Sequence, residues 1–500
     1  MNMPCRHITE ITQPPRTADI TAPDGNLYFF DYQQAYRTAA RRNQVPTTHT
    51  SITALQVCFY DGPPQADALE NMISLPFEQV ESRLIKLPYQ LPTQLIFPDG
   101  TPGNFISEIS WVFRQTLKNI VQRRKMLTAL IQQQLKNQRP EFDRNVPLRI
   151  LLKSSRLTTV MQHCSRQLAR ALEKQGHEVF LCMEENDMQL LDGYLHIKAQ
   201  AAFNPHIVFN INALNTQYLH PDVFYFSWWQ DPMPTITRGS TLLWRERDTT
   251  LSLTRNFDDY LLRCGCPEVR RQHFCIDKEI FNTAYDVKRE NKIVFIGSAY
   301  RDRLRKSPSE NGALRDIIAR MEAGEPVDET FLRPLSRRWG LDYQRVYWDL
   351  FHYAVRDVTL QWLCREADIP VEVYGRGWRD DPLVRPYFRG ELPHGEAVAH
   401  AYNSARYAFI CHPFEVNSQR LVEAAACGSI PVVFDCRHIA EPPHWDEYCR
   451  FFRTTAQLRN CLHGKDNLDP TLLARSFSYD HLADFITHTV HERLSWTSLP

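Results

Sequence analysis

Two acidic residues eight positions apart could act on one ligand. Glu415 follows an apolar run typical of a buried strand, and Glu423 lies within good helix formers, in the segment CHPFEVNSQRLVEAAACGSIPVVFD at 411–435. A carboxylate accepts two hydrogen bonds from adjacent hydroxyls, so Glu423 suits a ribose diol, and Glu415 suits a sugar hydroxyl beside a reacting carbon. The alternative interpretation is an exposed Arg420–Glu423 ion pair on the protein surface, with Glu415 merely exposed.

The start of the predicted helix supplies further groups for such a ligand. Asn417 or Ser418 can cap the helix, Arg420 lies in its first turn, and Gly428 is the residue expected just past its end. In open parallel sheets, ligands bind outside the carboxyl ends of the strands, where helix N-termini present free N–H groups and partial positive charge. The stretch therefore predicts a site for a phosphate and for sugar hydroxyls, the combination found in a nucleotide sugar.

Two other predicted strand ends carry glycine and arginine. IVFIGSAYRDR ends a strand at Gly297 with Arg301 and Arg303 beyond it, and VEVYGRGW ends a strand just before Arg376 and Gly377. Guanidinium groups aimed at a leaving diphosphate would stabilise the charge that develops in the transition state. The alternatives are an exposed basic helix start and an ordinary turn. Because arginines and a helix N-terminus can neutralise a diphosphate, we expect no metal cofactor.

A parallel sheet is needed to bring these residues together. Strand and helix patterns alternate after Pro147 and start a second series near Asn291, which predicts an α/β fold with two Rossmann-like domains in succession. The predicted strands of the first series are LRILLKSS, FLCME, HIVFNIN, DVFYFSWW and DYLLRCG. Those of the second series are NKIVFIG, PVEVYGRGW, RYAFICHP and SIPVVFD.

The predicted domain organisation has four parts. They are an N-terminal extension of unknown role at 1–147, a first Rossmann-like domain at 148–285, a second at 286–475 with a helical insertion at 304–367, and a C-terminal helix at 476–500. A long amphipathic helix is predicted at 106–137 within the extension. The extension or the insertion could form an oligomer surface.

Composition argues against several other functions. Lys+Arg and Asp+Glu both number 58, so no net charge attracts nucleic acid, which we do not expect as a partner. No stretch approaches the ~18 apolar residues of a membrane span, and the N-terminal residues contain no apolar h-region, so we expect no transmembrane segment and a cytoplasmic location. The 13 cysteines lie mostly in apolar patterns typical of reduced thiols. The cluster Cys264, Cys266, His273 and Cys275 lacks the spacing of structural zinc sites.

A family resemblance rests on the segment that contains the two glutamates. Glu415-x7-Glu423 followed by AAACGSIPVV resembles the E-x7-E segment of retaining glycosyltransferases of the GT-B fold, and N-x-x-R-x-x-E-A-A-A-C-G most resembles their CgeB-like group. FIGSAYRDR, VYGRGW and YFRGELPHGEAVAHAYNSARYAFICHP follow the order of the family's segments, so the resemblance covers about 291–435. It does not extend before Pro147.

The resemblance implies that two domains face each other across a cleft. The second half would bind a nucleotide-diphosphate sugar as donor, and the first half would bind a glycan, protein or lipid acceptor, with anomeric configuration retained. Gly390 would carry a turn in the segment that reads the nucleobase. Asp231, after a predicted strand, is a candidate catalytic residue, and Trp228 and Trp229 beside it are candidate sugar platforms. An ion pair and core tryptophans are the alternative there.

Two other functions remain open at this stage. A nucleotide-sugar isomerase or epimerase on the same fold would need an acid/base pair in the first half. A non-catalytic scaffold would keep the two-domain shape and bind partners through the extension and the insertion.

Overall fold

The structure is a computed structural model. It describes residues 8–10, 25–44, 56–156, 159–231, 233–413, 416, 418–438, 445–464, 468–475 and 477–496. The chain divides into two compact units. Unit 1 comprises Met1–Trp228 and Leu242–Thr249, and unit 2 comprises Trp229–Thr241 and Thr250–Pro500.

The first part of unit 1 has a sheet of its own, which we call the N-terminal sheet. Its five strands are, in sheet order, Ile8–Glu10, Gln94–Ile96, Leu27–Phe29, Cys58–Tyr60 and Met72–Ser74. Only the first pair is antiparallel. Helix Gly103–Asn137 packs one face through Phe113, Leu117 and Ile120, which confirms the long helix predicted at 106–137. The sequence analysis assigned no fold to this region.

A second sheet, the middle sheet, follows in the chain. Its strands are, in sheet order, Val269–Arg271, Asp248–Ser252, Phe224–Trp229, Ile207–Ile211, Arg149–Lys153 and Glu178–Cys182. The pairings of Ile207–Ile211 and Arg149–Lys153 with their neighbours are parallel. The prediction of a strand at DYLLRCG is wrong, because most of this segment lies in helix Arg255–Arg263. This helix buries Phe257 and Leu261 and exposes Leu262.

The third sheet, the C-terminal sheet, lies in unit 2. Its six parallel strands are, in sheet order, Phe388–Gly390, Val371–Tyr374, Glu290–Ile296, Ala405–Ile410, Ile430–Phe434 and Arg450–Phe452. All four strands predicted in the second series are present. The α/β fold class with two Rossmann-like parallel sheets is confirmed, and the facing of two domains across a cleft and the domain boundaries stay predictions.

Helices connect the strands of all three sheets. Those before residue 290 are Tyr32–Gln44, Val80–Leu84, Gly103–Asn137, Thr159–Lys174, Gly193–Phe203, Pro234–Thr237 and Arg255–Arg263. Those after it are Pro308–Glu322, Glu329–Arg338, Tyr343–Arg345, Phe351–Tyr353, Thr359–Glu366, Glu396–Ser404, Gln419–Ala426, Thr455–His463, Thr471–Ala474 and Tyr479–Trp496. The predicted C-terminal helix is the last of these. No helix in the described ranges has the length and apolar character needed to cross a membrane.

Both faces of the C-terminal sheet are buried, because alternate residues of a strand point to opposite faces. One face carries Ile293, Phe295, Tyr407 and Phe409, and packs against the helices at 308–366. The other carries Val294, Ile296, Ala408 and Ile410, and packs against the helices at 396–404 and 419–426. The helices of the predicted insertion therefore form part of the core of unit 2.

Candidate functional site

The strand order of the C-terminal sheet fixes where a ligand can bind. Numbered along the chain, its strands lie in the order 3-2-1-4-5-6, which is that of dinucleotide-binding sheets. The order reverses between Glu290–Ile296 and Ala405–Ile410, which pair side by side. Ligands of such sheets bind at this switch point, outside the carboxyl ends of the strands. The residues after Ile296 and after Ile410 are therefore the first candidates for a site.

Helix Gln419–Ala426, here the site helix, follows the fourth strand of this sheet. Ser418 is its N-cap, and its side chain accepts a hydrogen bond from Leu421 N at 3.3 Å. Gly428 has a φ of +76° just past the helix end, which confirms the predicted stop. Arg289 donates hydrogen bonds to the carbonyls of Cys427 and Gly428, and so satisfies the negative end of the helix.

Glu423 is buried beneath three donors. Its side chain is 0% exposed. Oε1 accepts hydrogen bonds from His394 Nε2 at 2.8 Å and from Gln419 Nε2 at 3.1 Å, and Oε2 accepts one from Arg420 NH1 at 2.6 Å. A carboxylate has about four acceptor positions, so one remains on Oε2. The alternative of an exposed surface pair is therefore wrong.

The ionised form of Glu423 is favoured by its neighbours. Burial alone raises the pKa of this carboxyl, but Arg420, His394 and Gln419 outweigh burial, and the pKa lies below its usual value. The Arg420 and His394 side chains remain 35% and 25% exposed. Glu423 thus holds a guanidinium and an imidazole at the start of the site helix, where both can reach a ligand.

A second group of charged residues surrounds the loop after the first strand. The buried carboxylate of Asp357 accepts hydrogen bonds from Tyr300 N at 3.0 and 3.1 Å and from Arg301 N at 3.2 Å. Burial raises the pKa of Asp357 to about 7, although the N–H groups of this loop and the arginines nearby favour its charged form. Asp357 therefore fixes the loop at the switch point.

Two arginines flank the Tyr300 side chain in this loop. The guanidinium carbons of Arg303 and Arg356 lie 4.2 and 4.1 Å from the Tyr300 ring centroid. Arg356 NH1 also donates to Ser298 O at 3.4 Å, while its Nε is buried and has no partner among the described residues. Cation–π contacts of this kind hold guanidinium groups in place without neutralising them. An anion at the switch point would meet both positive charges.

The helical backbone that carries Arg356 has an unusual geometry. A π-helical turn, Ala354–Val358, contains both Arg356 and Asp357, and another lies at Val346–Leu350. Such widened turns occur frequently at functional sites. Here the wider turn presents two consecutive side chains to the loop after the first strand.

His412 follows the fourth strand at the same switch point. Burial, together with the charge of Arg356, lowers the pKa of His412 to about 3, so the imidazole is neutral at ordinary pH. Its ring meets that of His352 edge to face, with centroids 5.9 Å apart. A neutral imidazole can contact a ligand as donor or acceptor, but adds no charge there.

Two of the arginines predicted to bind a donor have protein partners. Arg301 NH2 donates to the buried carboxylate of Asp381, which also accepts from Gln361 Nε2 at 2.8 Å. Arg376 forms an exposed ion pair with Glu391 at 2.8 Å. Their contact with a ligand stays a prediction, and in this structure Arg301 ties the loop to its own unit.

Glycines allow two loops at the strand ends to pack together. Gly375 has a φ of +128°, and a Cβ there would lie 2.2 Å from Gly297 O. Gly377 has a φ of +84°, and its Cβ would lie 2.9 Å from Ala299 Cβ. The loop after the second strand therefore contacts the loop after the first. Ligand contact by Gly297 and Gly377 stays a prediction.

Gly390 is the last residue of strand Phe388–Gly390. Its φ is +110°, and its carbonyl accepts a hydrogen bond from Gly375 N at 2.9 Å. The turn at Gly390 and its contact with a nucleobase, which the resemblance implies, stay predictions.

The two residues predicted to be catalytic are not both placed. Glu415, together with Asn417, lies outside the described residues. Asp231 is exposed and follows the end of strand Phe224–Trp229, and its role stays a prediction. Trp228 and Trp229 are buried, which confirms the interpretation as core tryptophans and rules out the candidate sugar platform.

The cysteines near residue 270 donate to backbone carbonyls. Cys264 Sγ contacts Ile236 O at 3.4 Å, and Cys266 Sγ contacts Glu268 O at 3.1 Å. Cys275 Sγ contacts His273 O at 3.7 Å. Across the described ranges, no cluster of three or more His, Cys, Asp or Glu side chains has a geometry that could hold a metal ion.

Sequence reasoning missed His394, Arg356 and Asp357. His394 precedes a glycine with a φ of +116° at the start of helix Glu396–Ser404, and a histidine before such a helix start was the available signal. Arg356 and Asp357 lie in a long helical stretch with no local sign of function. Only the fold brings them to the switch point.

Comparison with known proteins relates the second half of unit 2 to one family. Residues 356–484 match the model of a family described as "Glycosyl transferase-like". The match spans about a quarter of the chain and includes Arg356, His394 and the site helix. This segment is therefore glycosyltransferase-like. A comparison with curated protein sequences gave no match.

Several solved structures resemble the chain at low identity. Sucrose-phosphate synthase from Thermosynechococcus elongatus is 13% identical, with 70% of this chain and 100% of that chain covered and a TM-score of 0.43. The catalytic domain of starch synthase IV from Arabidopsis thaliana, bound to ADP and acarbose, is 11% identical, with 70% and 100% covered and a TM-score of 0.39. Anabaena HepE in complex with UDP-glucose is 10% identical, with 70% and 99% covered and a TM-score of 0.33. Because these TM-scores are below 0.5, the fold assignment rests on the three sheets of this chain.

Proposed function

We propose that this protein is a glycosyltransferase of the GT-B type, which moves a sugar from a nucleotide-diphosphate donor to an acceptor. The observation that carries the proposal is the buried Glu423 carboxylate with Arg420 and His394 above it, at the start of a helix that follows the fourth strand of a 3-2-1-4-5-6 sheet. The glycosyltransferase-like match over residues 356–484 includes this arrangement and supports it.

The donor would lie along the carboxyl edge of the C-terminal sheet. The first N–H groups of the site helix have no partner within the helix, and its N-terminus carries partial positive charge. Together with Arg420, they suit the anionic part of the donor. The remaining acceptor position of Glu423 Oε2 suits a ribose hydroxyl. For the hydroxyl to reach it, the ligand must displace side chains that shield this carboxylate from solvent.

The leaving diphosphate would be stabilised at the switch point. Negative charge grows on it as the glycosidic bond breaks, and fixed positive groups there stabilise the transition state more than the ground state. Arg303 and Arg356 are the arginines near Tyr300 that suit this role, because neither forms an ion pair with a carboxylate within the described residues. This assignment replaces the Arg301 and Arg303 pair of the sequence analysis. The proposal requires no metal.

The finer features of the proposal follow from the E-x7-E resemblance. We infer retention of anomeric configuration, with Glu415 beside the reacting carbon, and a place in the CgeB-like group. The acceptor would be a glycan, a protein or a lipid bound by the first half of the chain, and the location would be cytoplasmic.

A panel of nucleotide sugars tests the proposal. The purified chain is mixed with UDP-, ADP-, GDP-, CDP- and dTDP-sugars, and melting temperature and slow donor hydrolysis are measured. We expect stabilisation by one donor class, and we expect that stabilisation to be lost in Glu423→Gln, because the amide cannot hold Arg420 by charge. NMR of the first sugar released would give its anomeric configuration.

The control is Glu322→Gln, which changes an exposed glutamate at the end of helix Pro308–Glu322. It should respond to the donor as the original chain does. A chain that no nucleotide sugar stabilises would refute the proposal and favour a scaffold. Conversion of the donor into an isomeric sugar would favour an isomerase.

A further inference from the structure

A row of polar side chains crosses the middle sheet at its carboxyl end. Strand register places Cys182, Lys153, Asn210 and Ser227 beside one another on four adjacent parallel strands. Neighbours in register project to the same face of a sheet, so the four side chains form one line, which we call the polar row. All four are buried. None belongs to the site described above.

Lys153 is the charged member of the polar row. It is 7% exposed, and its ammonium donates to Tyr218 OH at 3.2 Å. No carboxylate pairs with this ammonium in the part of the chain that the structure describes, and burial lowers the pKa of Lys153 to about 8. Burying an ammonium without a counter-charge costs free energy. An ordinary core position would not retain a lysine.

The neighbours of Lys153 also leave hydrogen-bonding capacity unused. Ser227 is 0% exposed, and its Oγ has no partner in the described ranges. An ammonium has three N–H donors, and Tyr218 takes one of those of Lys153. Buried polar groups without partners are rare, and each needs an explanation. A negatively charged oxygen would supply a counter-charge for Lys153 and a hydrogen-bond acceptor for Ser227.

The polar row lies where a ligand of this sheet would bind. Strand Arg149–Lys153 lies between Glu178–Cys182 and Ile207–Ile211. The next strand along the chain is therefore added on one side of it and the following strand on the other, so the strand order reverses beside Lys153. Lys153 and Cys182 are the last residues of their strands. This is the carboxyl edge at a switch point, the place where open α/β sheets bind ligands. Tyr218 covers the ammonium from the loop after Ile207–Ile211.

We propose that the polar row is a binding site for an oxyanion, the carboxylate or phosphate of an acidic acceptor substrate. The oxyanion replaces the Tyr218 hydroxyl at the Lys153 ammonium and accepts a hydrogen bond from Ser227. The word acceptor rests on the proposed function, whereas oxyanion binding by the polar row does not depend on it.

Amide hydrogen exchange of the full chain tests this proposal. Exchange is followed by mass spectrometry in sodium phosphate, in sodium acetate and in sodium chloride at equal ionic strength. We expect phosphate, acetate or both to slow exchange in peptides that cover 149–156 and 207–218, and the salt that acts identifies the kind of oxyanion. Lys153→Met should lose this protection. Lys198→Met, an exposed lysine on helix Gly193–Phe203, should keep it.

The melting temperature gives a second measurement on the same variants. Lys153→Met should melt a few degrees higher than the original chain without added oxyanion, because an ammonium without a counter-charge is removed. A lower melting temperature, or equal protection in all three salts, would overturn the proposal. A chain that shows this protection but binds no nucleotide sugar would refute the proposed function and leave the oxyanion site standing.

Discussion

At the residue scale, the site depends on a carboxylate that is itself out of reach of solvent. Glu423 is 0% exposed, and it accepts hydrogen bonds from His394, Gln419 and Arg420. Breaking a buried ion pair from one side leaves the partner charge uncompensated. Substitution of Glu423 therefore removes the hydrogen-bond acceptor of Arg420 and His394 as well as that of any ligand hydroxyl. We expect all three contacts of the proposed donor site to be lost together.

Arg356 gives a prediction on the diphosphate. Arg356→Met should raise the Kd of the selected nucleoside diphosphate about ten- to a hundredfold, because a hydrogen bond to a charged group contributes ~1.5–3 kcal/mol. Isothermal titration calorimetry measures the change. Arg365→Met, on the helix segment that follows, is the matched control, because Arg365 is exposed and donates a hydrogen bond to Gln361 O. Equal affinity in the Arg356 variant would remove Arg356 from the site.

The sequence identified the parts of this site that depend on local signals. The apolar run to Ile410, the capping residue Ser418 and the i,i+3 spacing of Arg420 and Glu423 are short-range patterns, and the structure contains each of them. His394 lies 29 residues from Glu423, a contact that only the tertiary fold creates. The N-terminal sheet was missed because its strands of three residues are too short to give a periodic pattern.

At the element scale, loops at the strand ends are held by backbone contacts. Gly375 has a φ of +128° and lies against Gly297 O, and Asp357 accepts from the N–H groups of Tyr300 and Arg301. Glycines at a strand end can let the backbone approach a ligand closely. The structure shows that Gly375 allows one loop to approach another, a contact that no local pattern indicates.

Gly375→Ala should therefore be strongly destabilising. A Cβ there would lie 2.2 Å from Gly297 O, in addition to the strain of a positive φ. Gly390→Ala is the matched control, because Gly390 has a φ of +110° but open space around its Cβ position. Strain alone costs about 1–2 kcal/mol. Chemical denaturation should show a larger loss in Gly375→Ala, and equal losses would contradict the packing described here.

Asp357 gives a prediction on pH. Its pKa is raised to about 7 in the folded protein, so the folded state binds this proton more tightly than the unfolded state does. Its contribution to stability is present at low pH and is lost as pH rises through about 7. The melting temperature of the original chain, taken relative to that of Asp357→Asn, should therefore fall from about pH 4 to about pH 7 and change little above that. A difference that stays constant or rises with pH would show that this carboxyl is ionised without cost.

At the scale of the whole molecule, two parallel sheets each end in polar groups at a switch point. Arg356 and the group of Glu423, Arg420 and His394 lie at this edge of the C-terminal sheet, and the polar row lies at this edge of the middle sheet. The transferase that we propose would need one site for a donor and one for an acceptor. The charges suit different partners, because arginines surround one edge and a single buried lysine marks the other. The zero net charge of the chain means that these local groups, rather than an overall field, would select ligands.

The most direct test of the central claim is a crystal structure of the chain with the nucleoside diphosphate of its selected donor. We predict the diphosphate between the ends of strands Glu290–Ile296 and Ala405–Ile410, within hydrogen-bond distance of Arg356, and the ribose over the start of the site helix. A nucleotide bound away from this edge, with Arg356 and Glu423 unchanged and far from it, would contradict the account.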